Sequence, residues 1–72
     1  MRYRDGTVVS VGDRVRLWRD CVGVVVCSLD AGEFSDEYPK DKWAYLSTGI
    51  LVVSDKAGLV HLIEPDEDFE RV

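Results

Sequence analysis

Seventy-two residues make one domain, 1–72, because a second could not enclose a core of its own. Hydrophobic residues make up 46% of the chain and charged residues 32%, a globular balance that excludes a disordered chain. Fourteen acidic residues against nine basic ones give a formal charge of −5, which opposes non-specific capture by nucleic acid or anionic lipid.

The apolar residues are heavily β-branched, with Val the commonest residue. They come in short runs bounded by Gly and Asp pairs, the pattern of strands and turns. Thr7–Val11 is predicted as the first strand, with Arg2–Arg4 extended before it and Asp5-Gly6 as the turn between. Gly12-Asp13 turns the chain into Arg14–Arg19, where Val15 and Leu17 face one way and Arg14, Arg16 and Trp18 the other. Val22–Leu29 is apolar on both faces, as in a strand buried on both sides or one coiling between sheets. Gly23 within it suits a bulge or bend.

Residues 35–46 break the strand pattern. Pro39 suits a first helical position, Trp43 and Leu46 share a face, and Gly49 is a stop signal, so one short helix is predicted over Lys40–Leu46. Ile50–Ser54 and Leu59–Glu64 then form a hairpin around Asp55–Gly58. Direct closure pairs Val53 with Val60 and Val52 with His61. Leu51, Val53, Val60 and Leu62 then share one face, and His61 lies with Ile50, Val52 and Ile63 on the other. A short Phe69–Val72 segment closes the set. The elements predict a mainly β fold, a small five-stranded antiparallel SH3-like barrel with one short helix; a two-sheet roll of the same strands is the alternative.

Val11-Gly12-Asp13-Arg14-Val15-Arg16-Leu17, followed by Gly23-Val24-Val25-Val26, resembles the opening hairpin of SH3-like barrels of the KOW and Tudor-like kind. Trp43-Ala44-Tyr45-Leu46 with Gly49–Val52 and Gly58–His61 is similar to segments of small uncharacterised bacterial proteins. The KOW resemblance implies basic and aromatic residues for nucleic acid around the hairpin, and Arg14, Arg16, Arg19 and Trp18 fit that pattern. The charge runs against it: residues 37–72 carry eight acids and four bases.

Motifs for chemistry are missing. His61 has no nucleophile or orienting acid at a fixed spacing, and among Val and Ile it is expected as a partly buried, satisfied ring. Cys21 and Cys27 lack the further ligands of a zinc site; a hairpin over residues 20–28 would allow a disulfide, but on one continuous strand they would stand ~20 Å apart, too far for one. They are expected as free thiols filling the core. Counted from Asp66, the alternating acids Asp66, Asp68 and Glu70 place Arg71 where a calcium loop needs Gly. No Gly-x-Ser-x-Gly or Gly-x-Gly-x-x-Gly run occurs. The expectation is therefore no enzyme, no cofactor and no metal.

Aromatic residues carry the remaining signal. Phe34, Tyr38, Trp43 and Tyr45 cluster in the central connection, and Trp18 projects from the arginine face. They either plug the core or line a groove. The expected function is a non-enzymatic interaction module for a protein or peptide partner. Its surface would use Trp18, Tyr38, Trp43 and Tyr45 with Arg14 and Arg16. Two alternatives stand beside it: nucleic-acid binding through Arg14–Arg19, and an acidic inhibitor or immunity-type protein that uses Glu64–Glu70 against a basic enzyme. No apolar run approaches the ~20 residues that span a bilayer, and Met1–Gly6 lacks the apolar stretch of a secretory signal, so a cytoplasmic location is expected without membrane contact.

Overall fold

The turn at Gly12-Asp13 organises the chain. Gly12 adopts φ +95°, a left-handed conformation that glycine accepts without strain. The Asp13 carboxylate accepts the Ser10 N–H at 3.0 Å and the Tyr3 hydroxyl at 2.7 Å. The Gly12 N–H donates to the Val25 carbonyl and the Val25 N–H to the Asp13 carbonyl, at 2.8 and 2.9 Å, which fixes where the next two strands meet.

In the computed structural model, which describes residues 1–65 and 67–72, those strands are β1 (Arg14–Trp18) and β2 (Cys21–Ser28). A single helical turn α1 (Lys40–Trp43) continues into a 3-10 turn (Ala44–Leu46). Then come β3 (Ile50–Ser54), β4 (Gly58–Leu62) and β5 (Glu70–Arg71). All five strands form one antiparallel sheet in the order β4-β3-β2-β1-β5. Among the described residues no pairing joins β4 to β5, so the sheet is open.

The inner face of this sheet carries the core. Val15 and Leu17 of β1, Cys21 and Val25 of β2, and Ile50 and Val52 of β3 are buried in one cluster, with Val60 and Leu62 of β4 packed against it. Tyr3 and Val9 from the N-terminal segment and Phe69 from the segment before β5 complete the cluster, and the Tyr3 and Phe69 rings stack at 5.5 Å and 9°. Alternation in β1 holds as the sequence predicts: Val15 and Leu17 are buried, Arg14 and Trp18 exposed and Arg16 half-buried.

Four expectations are corrected. Thr7–Val11 is not a sheet strand. Val8 makes an isolated bridge to Arg2, and Val9 N–H donates to the Met1 carbonyl, so the segment folds back as an arm that drops Val9 into the core. The β3–β4 register is one residue away from the predicted one: Val52 pairs with Val60 and Leu51 with His61. The cause is Ser54, whose hydroxyl accepts the Ala57 N–H and donates to the Gly58 carbonyl, each at 2.9 Å, and which thereby closes a three-residue loop. The slip moves Val60 and Leu62 to the face of Ile50 and Val52, and His61 to the face of Leu51 and Val53.

Gly23 is not the bulge. The bulge in β2 lies between Val25 and Cys27, and a Cβ on Gly23 would collide with the Val53 carbonyl and lie 2.7 Å from Val52 Cγ1. The glycine permits close packing of β2 on β3. The helix stop is also displaced. Pro39 precedes the helix as an extended N-cap, and the 3-10 turn ends at Ser47, with φ +69°. Gly49, at φ +93°, instead allows the backbone of β3 to approach that of β4, since a Cβ there would strike the Leu62 carbonyl.

Candidate functional site

Parity along the strands sets the second face. Arg14 pairs with Val24, Val24 with Val53 and Val53 with Leu59, so these four form one row across the outer surface. The neighbouring row runs from Glu70 through Arg16 to Val22, and the Val22 carbonyl accepts the Asp55 N–H. At the end of β2 that leads into the central connection, the bulge reverses parity and pairs Cys27 with Leu51; both are buried outside the main core cluster. Ser35 Oγ ties the connection to this end by donating to the Val26 carbonyl at 2.7 Å.

Away from that tie the outer face is open. Val22, Val24, Val53 and Leu59 are between 38 and 43% exposed, and Val22, Val24 and Val53 line an open groove of about 470 Å³, with Arg14 and Val72 on one side and Asp55 on the other. The double-sided apolar character of Val22–Leu29 therefore has two causes. Val25 and Cys27 are buried on opposite faces, while Val22 and Val24 face solvent. A strand buried throughout is not what forms.

Charge frames the groove. Arg16 Nη2 pairs with Glu70 Oε1 at 2.6 Å, while its Nε is buried without a hydrogen-bond partner among the described residues. Arg14 lines the groove, exposed and with no ion pair among the described residues. Asp55 Oδ1 accepts the Val22 N–H at 3.2 Å.

The six residues singled out from sequence fall into two groups. Arg14, Arg16 and Trp18 belong to β1, with Trp18 41% exposed beyond a bulge at the strand end. Tyr38, Trp43 and Tyr45 lie in the connection: Trp43 sits 5.6 Å from Tyr38 and 6.4 Å from Tyr45, ring to ring, and Tyr45 is 74% exposed. Trp18 stands at the β1–β2 turn, whereas the connection starts at the far end of β2, about 23 Å of strand away. Val22 and Val24 escape a reading of the sequence, because nothing in a Val-Gly-Val-Val-Val run marks which Val faces water.

The remaining candidates have local roles. His61 is exposed rather than partly buried, and its Nε2 is 2.8 Å from the Thr48 carbonyl, to which it donates. Cys21 and Cys27 are free and buried on the same strand, and burial pushes the Cys27 thiol pKa up, away from the reactive thiolate. Asp66 lies outside the described residues. Glu64, Glu67, Asp68 and Glu70 are exposed, with the Glu67 carbonyl accepting from Arg4 at 2.6 Å. Among the described residues no group of three or more His, Cys, Asp or Glu is placed to hold a metal ion, and no helix is long and apolar enough to cross a membrane. No protein-family model matches the chain, and no match is found among curated proteins or solved structures.

Proposed function

We propose that this chain is a non-enzymatic interaction domain that binds a protein partner through the open outer face of its sheet. The observation that carries the proposal is the row Arg14, Val24, Val53 and Leu59 with Val22 beside it, which leaves branched apolar side chains exposed rather than under a cover, the three valines around a groove. Contiguous exposed apolar surface rimmed by charge is characteristic of protein-binding faces. Trp18 at the end of β1 supplies the kind of aromatic anchor that interfaces favour. Arg14 is available to a carboxylate on the partner. Arg16 is held by Glu70, which favours a protein over a phosphate backbone as the partner.

We further infer that the open sheet curls as an SH3-like barrel does. The Gly-Asp turn, the strand bulges and the pairing of the last strand with β1 support that assignment. Two free buried thiols support a reducing, cytoplasmic setting.

The test is a pair of charged substitutions on the face. Val24→Lys and Val53→Glu replace exposed side chains and should change stability by no more than about 0.5 kcal/mol. A partner cross-linked to the wild-type chain in its own cells should be lost from both variants and kept by Tyr45→Ala. Retention by both variants, or loss from Tyr45→Ala instead, would move the binding site to the aromatic connection.

A further inference from the structure

The outer-face groove is a trench across the strands. Its floor is the row Val15, Gly23 and Ser54, which pair across β1, β2 and β3, with the valine and serine side chains buried beneath. One wall is Arg14, Val24 and Val53. The other is Val22 and Asp55, each two residues from its counterpart on the same strand, so the walls stand about 7 Å apart. That width admits a single extended chain and excludes a helix, which is about 10 Å across. Val72 donates its N–H to the Arg14 carbonyl and lengthens the first wall by one strand. From there to Val53 the trench spans about 14 Å, the reach of about four extended residues.

Charge selects what enters it. Arg14 stands in its wall with no ion pair among the described residues. Arg16, the next side chain of β1 on the same face, holds Glu70 through Nη2 alone, and its Nε is buried without an acceptor among the described residues. The bidentate fork that makes an arginine–carboxylate pair strong is not formed. Glu70 itself is on a strand of two residues, with its side chain 57% exposed, so the contact is exchangeable. Asp55 in the opposite wall repels an anion there, which leaves the Arg14 side as the place for one. On the reading of this face as the binding surface, we propose that the partner contributes an extended segment of defined chemistry. One Asp or Glu side chain is seated on Arg14 and reaches Arg16, and an aliphatic side chain lies between Val22, Val24 and Val53. Glu70 is the internal competitor of that carboxylate for Arg16, and its release accompanies binding.

Short random peptides displayed on phage and selected on the wild-type chain test it. Val24→Lys sorts the selected peptides, since it should abolish binding of those seated in the trench. Peptides sorted in this way should carry an Asp or Glu close in sequence to Val, Leu or Ile. Synthetic copies should bind Arg14→Gln about tenfold more weakly than wild type, and Glu70→Gln about threefold more tightly. Both residues are exposed, so circular dichroism should be unchanged. Copies with Gln or Asn in place of the acid should lose both responses, which ties them to the carboxylate. Val24-sensitive peptides without an acid, with no response to Arg14→Gln, or with no gain on Glu70→Gln would overturn the proposal while leaving the binding face in place. An absence of Val24-sensitive peptides would overturn it too, and the face would then stand or fall on the cross-linked partner alone.

Discussion

Gly12 and Gly49 form a matched pair for testing the architecture. Their backbone angles are nearly equal, φ +95° and +93°, but an added Cβ at Gly12 meets nothing within 4 Å, whereas at Gly49 it strikes the Leu62 carbonyl and lies 3.1 Å from the Ile63 Cα. Alanine at Gly12 should therefore cost only the left-handed strain of a non-glycine residue, about 1–2 kcal/mol. At Gly49 the same strain is joined by a backbone collision that no side-chain rotation can relieve, and the total should reach about 3–4 kcal/mol. Against a total stability of about 4–11 kcal/mol for 72 residues, the first variant stays folded and the second is close to unfolding. Urea denaturation at a slope of about 1 kcal/mol/M separates them, with midpoints about 2 M apart. The comparison also tests register, because Gly49 meets the Leu62 carbonyl only when Ile50 pairs with Leu62. Equal losses from the two substitutions would refute the register and the close approach it creates.

Further outcomes follow from the same geometry. Ser47 is the one non-glycine described residue with positive φ, so Ser47→Gly should raise the urea midpoint, by about 0.5–1 kcal/mol after the added freedom of the unfolded chain is offset. Burial, and then the hydrogen bond to Asp13, raise the Tyr3 pKa above the ordinary tyrosine value. A raised pKa means that the folded state favours the protonated ring, so this contribution is whole below about pH 10 and is lost as pH rises above it. Alkaline titration followed by phenolate absorbance should show one tyrosine that ionises only with unfolding, absent in Tyr3→Phe. Asp13→Ala should cost about 1–3 kcal/mol by leaving the Tyr3 hydroxyl and Ser10 N–H unpaired, read as a lowered urea midpoint. Phe69→Ala removes a buried ring stacked on Tyr3 and should cost about 3–5 kcal/mol, read as a sharply lowered thermal midpoint.

The legible parts of the fold are those governed by local chemistry. The Gly-Asp turn, the alternation of Val15 and Leu17 and the short helix after Pro39 depend on neighbours along the chain, and the structure has them. The β3–β4 register is not legible because it rests on the Ser54 hydroxyl closing the loop, and a serine at a strand end gives no sign of which backbone groups it will bond. Thr7–Val11 has strand composition, but Val9 is needed over the open inner face, and tertiary burial overrides propensity there. Phe69, inside an acidic tail, is the largest fully buried side chain. Of the candidate site, Arg14, Arg16 and Trp18 are visible from their polar alternation, whereas Val22, Val24 and Val53 cannot be told from core valines by sequence.

The decisive measurement is the accessibility of valine and leucine methyl groups to a soluble paramagnetic probe, read by NMR on the methyl-labelled chain. The methyls of Val22, Val24, Val53 and Leu59 should broaden strongly while those of Val15, Val25 and Val52 stay sharp. Equal protection of Val24 and Val25, neighbours on β2, would mean that the outer face is covered and that the proposed binding surface does not exist.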